Sequence, residues 1–186
     1  MRLKPRFDAL LQMKSDDILN WGDKNAETLR MVTAYHKDIA VRIQGLEVDV
    51  WVKKITDASS KLPSIWGKMF GESPIEAEAK IQEIRKALFE IIYNHTELHD
   101  EISPRSEDLR MDIVALTVLA AEAKELFDVS IVQTRIRTLI AVQQTTQMAT
   151  ISLENSKTAC LTHIEAVDRL LQVTIPNWKI EQSQKH

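Results

Sequence analysis

The chain has 186 residues, 44% of them hydrophobic and 27% charged, which suits one domain with a substantial core. Only four glycines and five prolines occur, and strands and tight turns draw heavily on both, so an all-β fold is disfavoured. The net charge of −3 argues against general nucleic-acid binding, which needs a basic stripe.

An amphipathic helix is expected from about residue 6 to 20, with Leu10, Leu11, Ile18 and Leu19 as its apolar contacts. Gly22 can take the left-handed conformation that closes a helix, with Trp21 as a plug beside it. A ligand-stacking tryptophan is the alternative. Upstream, Arg2, Lys4 and Arg6 form a short basic arm, read as a solvated terminus rather than a membrane contact.

A second helix is expected over 24–60. Leu29, Val32, His36, Ile39, Ile43, Leu46 and Val50 recur at alternating steps of three and four, the seam of a helix packed lengthwise on another. Gly45 lies inside it at a cost of about 1 kcal/mol relative to alanine, so a close helix crossing is its expected reason. The segment from Leu62 to Gly71 breaks the pattern with one proline and two glycines, yet holds Ile65, Trp66, Met69 and Phe70. Such residues suit a structured loop tucked on the bundle end. The sharper alternative is an apolar patch that docks a partner.

Ser73-Pro74-Ile75-Glu76 is a helix start with a serine cap, proline in the first turn and glutamate closing a capping box. The helix over 74–102 repeats the seam through Ile81, Ile84, Leu88, Ile91, His95, Leu98 and Ile102. It is expected to pair with its predecessor as an antiparallel hairpin. Ser103-Pro104 should end it, because a residue before proline disfavours helical geometry.

A last long helix is expected over 106–174, with a break near 128–130 where Asp128 or Ser130 would cap a new segment. Its first part offers Leu109, Ile113, Leu116, Ala120, Ala123 and Phe127 as a stripe. Beyond Ile131 charge becomes sparse and Thr, Gln and Ser common, which suits hydrogen bonding across a partly polar core, an interface or a weakly packed stretch. Pro176 should end the segment.

The fold class is therefore all-α, an elongated antiparallel helical bundle of coiled-coil type in one domain over 1–186. No signal peptide is expected, and Ile113–Ala123, the most apolar window, is too short to span a bilayer. The lone Cys160 forbids an intramolecular disulfide and fits a cytoplasmic, reducing location.

No constellation announces a reaction. His95 and His99 stand four apart on one helix, a spacing that can share a metal ion. Thr96 stands where a metalloprotease helix carries glutamate, and His95 falls on the seam. With His36 they are the metal candidates, the buried-histidine reading being the blander one. Cys160 with His163 lacks a third orienting group and an oxyanion loop. Neither an enzyme nor a cofactor is expected.

Two separated stretches carry a resemblance. Asp17-Ile18-Leu19-Asn20-Trp21-Gly22 is similar to an aliphatic, aromatic and glycine segment of the bacterial toxic-anion resistance family, the TelA-like proteins linked with tellurite resistance. Ile164-Glu165-Ala166-Val167, followed by Thr174-Ile175-Pro176-Asn177-Trp178-Lys179, resembles the ending of that family. Between them, Trp66 to Gly71 resembles its glycine- and phenylalanine-containing loop.

The resemblance implies a non-catalytic stress-resistance protein. Contact would be with a partner protein or a membrane surface, through Trp66, Met69 and Phe70 or through Ile175, Pro176, Trp178 and Lys179. Oligomerisation through helices is also open. Rival expectations are a toxin-like helical subunit that inserts into membranes and a metal-binding or sensing bundle.

Overall fold

The computed structural model describes residues 3–60 and 73–184. Helix α1 spans Leu3–Leu10, a 3-10 helix Ser15–Asn20, α2 Asp23–Gly45 and α3 Val48–Ser60. Then come α4 over Pro74–Glu122, α5 over Val129–Arg169, a π-helical turn over Leu170–Thr174 and α6 over Ile175–Ser183. The described residues contain no strand, so the all-α expectation holds. The chain divides into two compact units, one of residues up to Lys37 with Thr96–Leu153, the other of Asp38–His95 with Glu154 onward.

The start of α4 is built as its sequence dictates. The Ser73 amide donates to Glu76 Oε2 at 2.9 Å and the Glu76 amide to Ser73 Oγ at 3.2 Å, a reciprocal capping box. The α4 seam is carried by the buried Ala77, Ile81, Ile84, Leu88, Ile91 and His95, then Ile102, Leu109, Asp112, Leu116 and Leu119, with Ala123 just past the helix end and Ala115 buried beside the seam. Half-buried Leu98 and Arg105 fill the gaps, so one alternation of three and four runs unbroken through the helix.

That continuity corrects the expected stop at Ser103-Pro104, for Pro104 lies inside α4. An interior proline costs about 3 kcal/mol. Flanking it, Ile102 and Leu109 are 5% and 0% exposed, and burying each side chain contributes about 2 kcal/mol. Pro104 itself is exposed, so the carbonyl it frees can bond to water. Seam burial outweighs the local penalty.

The expected helix over 24–60 is two helices. Leu46 and Glu47 interrupt it, and Glu47 adopts a positive φ of 48°. Val48, rather than Val50, is then the buried residue, while Val50 is 56% exposed. Gly45 has open space where a Cβ would sit; it marks the end of α2, not a close crossing. The first expected helix, over 6–20, likewise divides at Leu11–Lys14 into α1 and the 3-10 helix. Gly22 does close that segment, with φ 78°.

The break before α5 falls where the cap was placed. Asp128 Oδ1 accepts the Ser130 amide at 2.8 Å. Its side-chain and backbone contacts with Ser130 hold the carboxyl below its ordinary range.

Helix α5 buries Val132, Arg135, Leu139, Val142, Thr146, Ala149 and Leu153, then Cys160, Ile164 and Val167, and the π-helical turn buries Leu170. Its threonines do not bond across a polar core. Thr134, Thr138, Thr145, Thr146, Thr150, Thr158 and Thr162 each return the hydroxyl to the carbonyl four residues back, a local alternative open to hydroxyl side chains.

Pro176 does not end the helical path. The Ile175 amide donates to the Leu170 carbonyl, five residues back, and the extra residue moves the carbonyl that the proline ring would strike. Burial passes from Leu170 to Ile175 where a regular seam would use position 174.

Candidate functional site

In the first unit, two charges occupy seam positions. Asp112 lies on α4 between Leu109 and Leu116; its side chain is 6% exposed. Arg6 of α1 donates Nε to its Oδ1 at 2.9 Å, and Asn25 of α2 donates Nδ2 to its Oδ2 at 2.9 Å. The second guanidinium arm, Nη2, meets Asp108 Oδ1 at 2.7 Å. Burial pulls the Arg6 guanidinium down, but its bonds to Asp112 and Asp108 outweigh it and hold the group above its ordinary value. The carboxylate therefore joins three helices.

Arg135 of α5 supplies the second charge. Its Nε donates to the Trp21 carbonyl at 2.7 Å and its Nη2 to Asp23 Oδ1 at 2.6 Å. Both acceptors belong to the turn around Gly22. A Cβ on Gly22 would come within 3.2 Å of Asp112 Oδ2 and 3.3 Å of Leu139, so this turn needs glycine for φ and for space alike. Among the described residues, the enclosed Trp21 ring nitrogen has no hydrogen-bond partner, which favours the plug over a stacking platform.

The second unit carries cross-helix pairs. Lys179 of α6 bonds Glu78 of α4. Arg85 Nε donates to Asp168 Oδ1 at 2.6 Å while its guanidinium lies 4.9 Å from the Phe89 ring centre. His95 Nε2 lies 3.9 Å from Glu154 Oε1, and His163 Nδ1 3.7 Å from Asp49 Oδ1.

These positions redraw the candidates named from sequence. Ile175 is fully buried, so it offers no surface; Pro176, Trp178 and Lys179 are half-buried. Trp66, Met69 and Phe70 lie outside the described residues. His36 is half-buried, His95 is 2% exposed and the His99 side chain is half exposed. Among the described residues, no group of three or more His, Cys, Asp or Glu is placed to hold a metal ion. Cys160 is buried, and burial pushes its thiol up. No helix of the described residues is long and apolar enough to cross a membrane.

No family model matches the chain, and neither a curated protein nor a solved structure does so.

The paired charges Arg6–Asp112 and Arg135–Asp23 escaped the sequence reading. A stripe chosen for hydrophobicity selects Ile113 and Ala120, whereas the seam uses Asp112 and Leu119. The available signal was strict spacing: Asp112 is three beyond Leu109 and four before Leu116, and Arg135 stands likewise between Val132 and Leu139.

Proposed function

We propose that the chain is a non-catalytic stress-resistance protein, as its resemblance to the toxic-anion resistance family implies. It works in the cytoplasm by protein contact, and its long helices pair lengthwise as an elongated antiparallel bundle. Support for the pairing comes from the second unit. There, rising positions on α4 (Glu78, Arg85, His95) meet falling positions later in the chain (Lys179, Asp168, Glu154).

One observation carries the non-catalytic reading. The buried ionic groups Asp112 and Arg135 are each engaged by another segment of the chain. Burial and perturbed charge can mark reactive sites, but ion pairs that hold structure have the same signature. Here a carboxylate with a guanidinium and a carboxamide upon it, and a guanidinium bound to a carbonyl and a carboxylate, join helices and turns.

Deleting the gene in a host that expresses the protein, then challenging the strain with tellurite and with envelope stress, tests the proposal. Heightened sensitivity restored by the wild-type gene supports it. Unchanged sensitivity under both challenges overturns it. Flotation with anionic vesicles separates a membrane-surface contact from a protein contact.

A further inference from the structure

The exposed side of α5 within the first unit differs from the rest of the surface. From Thr138 to Leu153 it has no ionisable side chain, although charged residues make up 27% of the chain. Ile140, Gln144, Gln147 and Ile151 share one helical face, with Met148 at its flank. Met148 is 73% exposed and Ile151 64%. This face lies opposite the seam of Leu139, Val142, Thr146 and Ala149 and forms a ridge about 17 Å long from Ile140 to Ile151.

A groove of about 560 Å³ runs beside the ridge, between α4 and α5. Its walls include Ile102, Ser103, Ser106, Gln143, Gln147 and Thr150. Two opposite charges at its edge close on each other: Arg110 donates Nε and Nη2 to Glu107, both at 2.9 Å. With that pair closed, the remaining lining is His99, hydroxyl and carboxamide groups, and the apolar Ile102 and Ile151. A smaller groove of about 370 Å³ on the other side, toward α2, carries the cation Arg30.

We infer that this face is a self-association surface, on which the α5 ridge of one copy enters the α4–α5 groove of a second copy and receives the same contact in return. Ridges entering grooves are how helices pack, and a two-fold contact requires ridge and groove on one face of each copy. Charge selects the occupant. An ordinary helix face would bring unpaired charges into a groove whose own pair is closed, at a desolvation cost. The neutral ridge of α5 brings none. A carboxamide is both donor and acceptor, so Gln144 can meet its own copy across a two-fold axis, as a carboxylate or ammonium cannot. A ridge this short buries less than a standard interface, which places the association in the weak, transient class.

Sedimentation velocity on the full chain, from low to high micromolar concentration, reads the association directly. A reversible monomer–dimer equilibrium is expected, and Gln144→Glu should weaken it at least tenfold by setting like charges together. That variant lies on an exposed helical position, so its circular dichroism and melting temperature should match the wild type. Proximity is read separately with a short bis-maleimide. Met148→Cys should cross-link to dimer in proportion to concentration, while Val41→Cys, equally exposed in the other unit, should not; Cys160 is buried and silent. A monomer at every concentration overturns the inference. So does a dimer indifferent to Gln144→Glu, or cross-linking no greater at 148 than at 41. These readouts use purified protein and do not depend on the stress-resistance reading.

Discussion

Arg6 and Asp112 are separated by 106 positions in the chain, yet the Arg6 Nε reaches the Asp112 carboxylate at 2.9 Å. The carboxylate sits where a seam would otherwise hold an aliphatic side chain, and the guanidinium arrives on a helix of its own. Arg6→Ala would leave Asp112 with Asn25 as its cross-helix bond shown here. Removing one partner of a fully buried pair costs about 3–5 kcal/mol. The Arg6 side chain is 21% exposed, so solvent reduces that to about 1–2 kcal/mol. Urea titration of Arg6→Ala, Asp112→Ala and the double variant should give a double change smaller than the sum of the single ones. Strict additivity would show that the two groups do not cooperate.

Pro104→Ala should stabilise the protein by about 1–3 kcal/mol, because it restores a backbone donor inside α4 and removes a ring clash. Part of the gain is offset by the freer unfolded chain. If α4 instead ended at Ser103, the same change would be neutral or harmful. Thermal melts of the two proteins decide the point.

Glu47→Gly should also stabilise, by about 1 kcal/mol, since a non-glycine residue in left-handed geometry costs about that much. The exposed side chain of Glu47 loses little. Glu47→Ala, which keeps the Cβ, should give none of this gain.

Cys160 gives a pH dependence with a definite sign. Burial raises the thiol in the folded chain, so the unfolded chain ionises first as pH rises. Its contribution to stability is whole below the ordinary thiol value and is lost progressively above it. Cys160→Ala, compared with wild type across the alkaline limb of a stability–pH curve, should flatten that limb. A thiol reagent at neutral pH should modify the wild-type chain only as fast as the second unit opens.

Asp128 works in the opposite direction. Its contacts with Ser130 lower its folded value, so its stabilisation is present above the ordinary carboxyl range and disappears as pH falls through the folded value. Asp128→Asn can still cap α5 but should remove that acid dependence, visible as a smaller loss of melting temperature on acidification.

Much of the helical content was legible in spacing alone. Ile81, Ile84, Leu88, Ile91 and His95 recur at intervals that only a seam explains, and all are buried. The Ser73–Glu76 box and the Asp128 cap were equally readable, because each needs a few local residues of the right type. Misplaced boundaries arose where local signals disagreed with burial. Pro104 and Pro176 speak against a helix, yet apolar positions on either side keep the path helical. Before Glu47 the local signal was Gly45, which ends α2 rather than marking a crossing; the cost of positive φ is met by placing Val48 and Ile55 inside. The Arg6, Asn25 and Asp112 cluster was hidden for another reason: residues far apart in sequence give no sign of meeting.

The wide turn at Leu170–Thr174 acts as a phase shifter. One surplus residue rotates everything beyond it by about 100° relative to an uninterrupted α-helix, and this offset brings Ile175 indoors. Removing one residue from that turn would restore a regular α-helix with Ile175 four positions beyond Leu170, so Ile175 would keep its place and α6 its facing. The cost would fall on Pro176, whose ring would meet the carbonyl four residues back. The same excision between Ile175 and Lys179, where the helix is regular, would instead swing Lys179 away from Glu78.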